Sequence, residues 1–445
     1  MKGTNELLEE EKALRRPTAS ETALVGRIAG ELTKRLEKAL KASKVKAKSV
    51  VGGSGAKGTW LRGMHDIDVF VCFDYNRYKK KSGELSEFLA KAIKKAFPKY
   101  ERLHGSRDYF KVRYSGYNFE LVPILLIKKV KQAINITDAS LLHSKWVKKQ
   151  LQKNKKAGLD DEIRLTKSFC VAQRVYGAES YVRGFSGYAC EVLTIYYGSF
   201  LKLITAAATK WKKNIAAGKK IVIDAENHYR RKDPLRELNE AKIQSELIVI
   251  DPVQPDRNAT AALGNDALQK FIAASADFIK GKSRKFFEKE DTGVEKLVQL
   301  AKGRRLVVVE AVPVRGKEDV TGAKLLKAHN HICQQLGKNG FALAMSGWEW
   351  DKHKPSKAAM MWYIVDKKEP AAEMREGPPL SNEQHAEKFR AEHSSKAGRE
   401  LFEKNGRLYA KIQRRYKQPQ HLISTLVAED AYLKDKAVTY KVIAM

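Results

Sequence analysis

Val51-Gly52-Gly53-Ser54 and, one short loop later, Asp66-Ile67-Asp68-Val69-Phe70-Val71-Cys72-Phe73 decide how this 445-residue chain is read. The second stretch reads as a buried strand, because apolar residues follow the acids without a break. Side chains alternate faces along a strand, so Asp66 and Asp68 point the same way. Two carboxylates side by side repel unless a cation lies between them, and hard oxygen ligands suit Mg²⁺. Just ahead of them the glycines expose backbone N–H groups and Ser54 adds a hydroxyl, a combination that can hold a phosphate.

Working outward, Lys and Arg outnumber Asp and Glu by 85 to 52, a formal net charge of +33. The excess runs along the chain rather than in one tail, which favours a polyanionic partner. A hydrophobic fraction of 43% supports real cores, and the length predicts about three domains. No apolar stretch approaches the roughly 18–20 residues of a spanning helix. Met1 to Arg16 is charged and lacks the apolar run of a secretory signal. A cytoplasmic protein with no membrane partner is therefore expected. Cys72, Cys170, Cys190 and Cys333 are scattered and read as small core hydrophobes in a reducing compartment. His329-Asn330-His331 has no cysteine or acidic ligand nearby and reads as part of a surface helix.

The periodicity predicts a helix over 21–42, with Leu24, Ile28, Leu32 and Leu36 on one stripe, then strands over 44–51 and 66–73. A helix over 85–97 and strands over 109–112 and 118–124 complete an α+β unit ending near residue 145. The next unit is mostly helical. Helices are expected over 160–176, 188–211 and 268–278, with short strands at 219–223 and 247–250. From Leu306 a strand, helix, strand, strand order predicts a small α/β sandwich with its helices on one face of an antiparallel sheet. Glu376-Gly377-Pro378-Pro379 breaks the pattern before a basic, aromatic-bearing end. Three domains follow from this: 1–145, 146–288 and 289–445.

Glu120, in Glu120-Leu121-Val122-Pro123, is the candidate third carboxylate, on a strand of the same unit as Asp66 and Asp68. Three such acids suit a two-metal site, where one Mg²⁺ activates an attacking hydroxyl and the other steadies a leaving pyrophosphate. The residues alone thus point to nucleotidyl transfer.

At this point the chain resembles a known family. Gly53-Ser54-Gly55-Ala56-Lys57-Gly58-Thr59-Trp60-Leu61 with Asp66-Ile67-Asp68 is similar to the active-site motif of archaeal (class I) CCA-adding enzymes, tRNA nucleotidyltransferases of the DNA polymerase β-like superfamily. The resemblance continues through Arg164-Leu165-Thr166-Lys167 to Tyr176-Gly177, Val182 to Tyr188, Asp251-Pro252-Val253, Arg257-Asn258, and Gly377-Pro378. It covers essentially the whole chain. The fold it implies is α+β and multidomain: a polymerase β-like head, a mainly helical neck and central domain, and a C-terminal α/β, ferredoxin-like RNA-binding domain.

Carried over by position, Asp66, Asp68 and Glu120 would be catalytic and bind two Mg²⁺ ions. Gly53, Ser54, Lys57, Lys167 and Tyr176 would meet the triphosphate, and Arg257 the base edge. Tyr176 lies nine residues on and so opposite Lys167 on an ideal helix, which requires the helix to bend near Gly177 or the nucleotide to reach round. Three departures stand out. The third acid is usually aspartate; Ser106-Arg107-Asp108-Tyr109 stands where relatives show Glu-His-Pro-Tyr; and the loop Asp138 to His143 lacks an arginine and a proline. That loop keeps Ser140 and His143, for which the resemblance implies ribose or primer contacts.

The resemblance makes CTP and ATP the substrates, added to the 3′ end of tRNA without a nucleic-acid template. Its C-terminal third would grip the acceptor stem and T arm, using Trp348, Trp350, Trp362, the run Lys324–Lys338 and Arg407, Lys411, Arg414, Arg415 and Lys417. Phosphate contacts of that kind position an RNA without reading its sequence. The oligomeric state stays open, a homodimer included. Two alternatives remain: a poly(A) or oligoadenylate polymerase, and a non-catalytic RNA-binding protein on a decayed transferase fold.

Overall fold

Thr18 opens the helix Ala19–Ala42 with a reciprocal capping box, its hydroxyl accepting from the Glu21 N–H. Ile28, Leu32 and Leu36 are buried along one stripe, but Leu24, expected on the same stripe, is 39% exposed. The apolar face starts one turn later than the spacing implies. The computed structural model describes residues 3–64, 66–230, 232–289, 292–351, 357–368, 372–394 and 399–445. The chain forms two compact units, Met1–Glu290 and Asp291–Met445.

In the first unit five strands make a mixed sheet: β1 (Ala47–Val51), β2 (Asp66–Asp74), β3 (Glu101–Leu103), β4 (Tyr109–Tyr114) and β5 (Tyr117–Leu126). Their order is β1-β2-β5-β4-β3, with β2 and β5 parallel and the other pairs antiparallel. The β2 alternation has a clear outcome. Ile67, Val69, Val71 and Phe73 join a core with Leu32, Leu89, Ile93, Phe119 and Leu121, while Phe70 and Cys72 sit in a small second cluster with Ile124. Asp66 and Asp68 therefore stand on the face away from the main core.

The helical part of this unit differs from its expected outline in two places. The helix expected to run to Tyr176 spans Leu159–Ala172; Arg174 then takes φ +58° and Tyr176 pairs with Phe185 in an isolated bridge. The long helix expected over 188–211 is broken. Gly187–Tyr197 ends at Gly198 with φ +80°, Ser199 caps the next turn from Phe200, and the two helical runs meet at 92°. Ala207–Trp211 is a π turn within the second run. Phe169, Phe185, Phe200, Trp211, Phe271 and Phe278 fill the core between these helices and Asn265–Gly281. β6 (Ile221–Asp224) and β7 (Leu247–Ile250) form a short parallel pair.

The second unit contains β8 (Arg305–Pro313), β9 (Leu343–Glu349), β10 (Ala359–Val365), β11 (Glu373–Pro379), β12 (Arg399–Lys404), β13 (Arg407–Ile412) and β14 (Ala437–Ala444). One antiparallel sheet has the order β14-β8-β10-β9, and a three-stranded sheet, β11-β13-β12, intervenes in the sequence before β14. Glu376-Gly377-Pro378-Pro379, expected to break the pattern, lies inside β11, whose register slips between Glu376 and Pro379. Prolines are tolerated there because β11 is an edge strand. Helices also cover both faces of the larger sheet, not one. Glu318–Lys338 and Pro419–Glu429 pack on one side, and Val294–Ala301 packs Leu297 and Ala301 against Leu306, Val308 and Ile364 on the other. Trp348 and Trp350 pack on the first core and Trp362 on the second. His329 is buried and stacked on Tyr363 and His331, half-buried, pairs with Asp430, so of the three only Asn330 keeps to the surface reading.

Among the described residues no single helix is long and apolar enough to cross a membrane; the bent pair at residues 187–216 passes only as a pair and contributes Phe200 and Trp211 to the core. Cys72, Cys170 and Cys190 are buried and Cys333 is half-buried, all as free thiols.

Candidate active site

The parallel register sets Asp68 opposite Glu120 and Asp66 opposite Asn118, so all three candidate acids share one sheet face. Asn118 donates to Asp66 at 3.0 Å, and Lys111, opposite Glu120 on β4, brings Nζ to 3.6 Å from Asp66. Burial raises the pKa of Asp68; the nearby charges of Asp66 and Glu191 add to the rise, and Lys57 and Lys167 oppose it. Asp66 and Asp68 on one strand and Glu120 on the next offer hard oxygen donors on one face, a set that fits divalent cations. Among the described residues, no three acidic, histidine or cysteine side chains are already drawn together as an ion cage.

The glycine turn is pressed against these acids. Gly52 N–H donates to the Asp68 carbonyl at 2.8 Å. Gly53 takes φ +54°, and a Cβ there would fall 1.6 Å from Asp68 Oδ2. Any side chain at Gly53 would displace the carboxylate, so glycine here serves close approach as well as backbone conformation. Ser54, half-buried, follows in the short helix Gly53–Lys57.

Beyond this turn the chain is stitched to the helix Leu159–Ala172. Arg164 donates to the carbonyls of Trp60, at 3.1 Å, and Gly58. Lys167 is fully enclosed and gives its ammonium to Thr59 O at 3.2 Å, Thr59 Oγ1 at 3.1 Å and Glu191 Oε1 at 2.8 Å. Glu191 Oε2 takes Lys57 at 2.6 Å, and Thr59 Oγ1 donates to Oε1 at 2.6 Å. Burial alone would raise the Glu191 carboxyl; the ammonium groups of Lys167 and Lys57 reverse this and hold its pKa at about 2.

Tyr176 also belongs to this group, for a reason periodicity could not supply. Because the chain leaves the helix at Ala172 and doubles back, a Cβ on Gly187 would lie 2.8 Å from the Tyr176 hydroxyl and 3.8 Å from Lys167 Cε. The apparent opposition of the two residues vanishes with the helix that was assumed to join them.

A second buried carboxylate, Asp251, gathers the remaining candidates. Its Oδ2 accepts from Arg257 at 2.6 Å and lies 2.9 Å from His143 Nε2. Its Oδ1 accepts from Tyr188 at 3.2 Å and from the Val253 N–H at 2.8 Å. Burial pushes the carboxyl up, but His143 and Arg257 hold it well below the usual range. The Tyr188 ring joins the two groups: it packs on His143 at 4.5 Å, and Lys57 sits 5.9 Å from its centroid. Ser140, half-buried, begins the helix Ser140–Lys153 that carries His143.

The two loops that depart from the family pattern meet each other. Arg107, almost fully buried, donates to Asp138 at 2.6 Å, to Pro123 O at 3.0 Å and to Ser82 at 2.7 Å. Asp138 also takes the N–H groups of Leu125 and Asn135, each at 2.9 Å. The arginine of one loop thus anchors the aspartate of the other in a satisfied buried pair, a structural use for both.

Residues 33–143 match the nucleotidyltransferase domain family, 161–288 the second domain of tRNA nucleotidyltransferases, and 302–438 the C-terminal domain of CCA-adding enzymes. A CCA-adding enzyme of Nanoarchaeum equitans is 36% identical over 318 residues, 71% of this chain and 73% of the relative. That of Methanosarcina barkeri is 30% identical over 380 residues, 83% and 78% of the two chains. This chain belongs to the CCA-adding enzyme family. A third relative, from Methanoregula boonei, is 28% identical and extends the match to 92% of the chain. The chain is accordingly a nucleotidyltransferase, with a head, a helical part and a C-terminal domain of mixed helix and sheet.

Glu191 escaped the sequence reading, and Asp251 was seen only as part of a motif. The signal for Glu191 was present: it is the lone charge in Tyr188-Ala189-Cys190-Glu191-Val192-Leu193, and a carboxylate in so apolar a helix must be buried with a partner.

Proposed function

We propose that the chain rebuilds the 3′ end of tRNA, adding C, C and A from CTP and ATP with release of pyrophosphate and without a nucleic-acid template. The observation that carries this reading is the Asp68–Glu120 register on a face beside Gly53, Lys57 and Lys167. Asp66, Asp68 and Glu120 would hold two Mg²⁺ ions, whose chemistry is to acidify the attacking 3′-hydroxyl and neutralise the leaving pyrophosphate. The longer arm of Glu120 reaches from the strand beside Asp68. Gly53 and Ser54 orient the phosphates, and Lys57 supplies their counter-charge. Arg257 presents donors to the base edge, where cytosine and adenine differ. His143 and Ser140 border the ribose and primer end.

The reading divides the chain into three functional parts: a catalytic head at 1–145, a nucleotide-binding neck and central part at 146–288, and a tRNA-binding part at 289–445. The strand order β14-β8-β10-β9, with helices 318–338 and 419–429 as crossovers, supports a ferredoxin-like description of the last. Arg407, Lys411 and Arg414 there are paired with Glu376, Glu400 and Glu373. The first two are exposed pairs, worth about 0–1 kcal/mol, so phosphates of an acceptor stem and T arm can displace them. A cytoplasmic location suits action on tRNA.

Extension of tRNA lacking its terminal CCA, with each labelled nucleotide in turn, tests the reading. C, C and A in order are expected; runs of A alone would overturn it. Asp68→Ala should abolish incorporation while tRNA binding is retained.

A further inference from the structure

Glu191 is a fully enclosed charge near the candidate site, and nothing in the chemistry above uses it directly. It is 0% exposed, on the helix Gly187–Tyr197, where Ala189, Cys190, Val192 and Leu193 are all buried. Packing on every side fixes where its carboxylate points. Three groups meet that carboxylate from two other segments: Lys57 and Thr59 from the glycine turn and the residues after it, and Lys167 from the helix Leu159–Ala172.

The hydrogen bonds divide the lysines by task. Lys167 has three N–H groups and three protein acceptors within 3.2 Å, so its donors are fully taken. Lys57, with 8% of its side chain exposed, gives one N–H to Glu191 Oε2 among the described residues and has two left for a ligand. Both oxygens of Glu191 are engaged by ammonium groups, which also removes it from the set of metal ligands.

We propose that Glu191 is a positioning residue for nucleotidyl transfer, holding Lys57 and Lys167 together as one dication whose open side, on Lys57, receives the triphosphate of CTP and ATP alike. Two ammonium groups sharing one small volume repel, and without a carboxylate between them Lys57 would swing out to water. With it, the pair is preorganised, so binding need not order a flexible lysine. Thr59 bridges Glu191 and Lys167 and thereby fixes the end of the turn that begins at Gly53. Because the triphosphate is common to both nucleotides, Glu191 affects them equally.

The inference rests on the nucleotidyl-transfer reading, and the test separates the two by measuring nucleotide and inorganic tripolyphosphate binding without tRNA. For Glu191→Gln, the Kd for CTP, for ATP and for tripolyphosphate, each measured without tRNA, should all rise by a common factor of about 30. kcat should fall less than tenfold, tRNA affinity should be unchanged, and Glu191→Asp should recover part of the loss. Values within twofold of wild type for Glu191→Gln would overturn the proposal, as would a change in CTP without one in ATP. Should Glu191→Gln fail to fold, Thr59→Val removes the bridging hydroxyl with no change of charge. It should raise the same three constants about fivefold, and unchanged constants would again overturn the proposal. A wild-type chain that binds tripolyphosphate and CTP but does not extend tRNA would sink the tRNA reading and leave Glu191's role standing.

Discussion

Two buried carboxylates organise the candidate site, and they do so differently. Glu191 is sealed, each of its oxygens committed to lysines that are themselves 2% and 8% exposed. Asp251 is equally buried, but its arginine partner is 28% exposed; its histidine, 11% exposed, packs on the Tyr188 ring. Enclosure suits a ligand group that never changes, and the triphosphate is the same in CTP and ATP. Partial exposure suits a group that must adjust, and the base edge is what differs between them. On the proposed roles, the same device, a carboxylate holding two bases, would be rigid at the triphosphate end and adaptable at the base end.

Lys167→Met tests the rigid end most severely. It removes a fully buried charge and leaves Glu191 half-paired, so kcat/KM should fall about 10³-fold, roughly 4 kcal/mol, with CTP and ATP alike. A loss differing more than tenfold between the nucleotides would erase the proposed contrast. Acid gives the next largest effect. The Glu191 carboxyl is held at about 2, below its ordinary 4.5. Its stabilisation is therefore complete above about pH 4.5 and is lost as pH falls toward 2. Denaturant titrations of wild type and Glu191→Gln should differ most near neutrality, with a gap that closes by roughly 3 kcal/mol between pH 4.5 and 2. A gap independent of pH would mean the carboxylate carries no such charge coupling. At the adaptable end Arg257→Ala should cost about 30-fold, roughly 2 kcal/mol, and unequally, shifting the CTP-to-ATP ratio and admitting GTP or UTP. An equal loss for all nucleotides would make Arg257 a second phosphate group.

The strand bearing Asp66 and Asp68 was legible because burial on one face enforces alternation, which sequence displays directly. The pairing of Asp68 with Glu120 was legible only as a shared unit, since register depends on the crossover between β2 and β5. The helix through Lys167 was read about one turn too long for a local reason. Nothing in Cys170-Val171-Ala172-Gln173-Arg174 forbids another helical turn, and the end at Ala172 is set by the bridge to Phe185. The break at Gly198-Ser199 was visible as a glycine stop and a serine cap, but the surrounding apolar periodicity masked it. Glu191 and Asp251 show the deeper limit. A buried charge announces that partners exist, yet only tertiary structure says that Lys57 and Lys167 belong to one and His143 and Arg257 to the other.

His143 sharpens the comparison with the smallest change. Its ring packs on Tyr188 at 4.5 Å, and Nε2 lies 2.9 Å from the Asp251 oxygen that also holds Arg257. His143→Gln keeps a polar donor but loses the ring, while Asp251 retains Arg257, Tyr188 and the Val253 N–H. If the base end is adaptable, those contacts absorb the change, and kcat/KM should fall only about fivefold, near 1 kcal/mol, for both nucleotides. A loss as large as that of Lys167→Met would show that Asp251 is as unforgiving as Glu191. The two ends would then differ only in exposure, and base selection would have to come from groups other than this cluster.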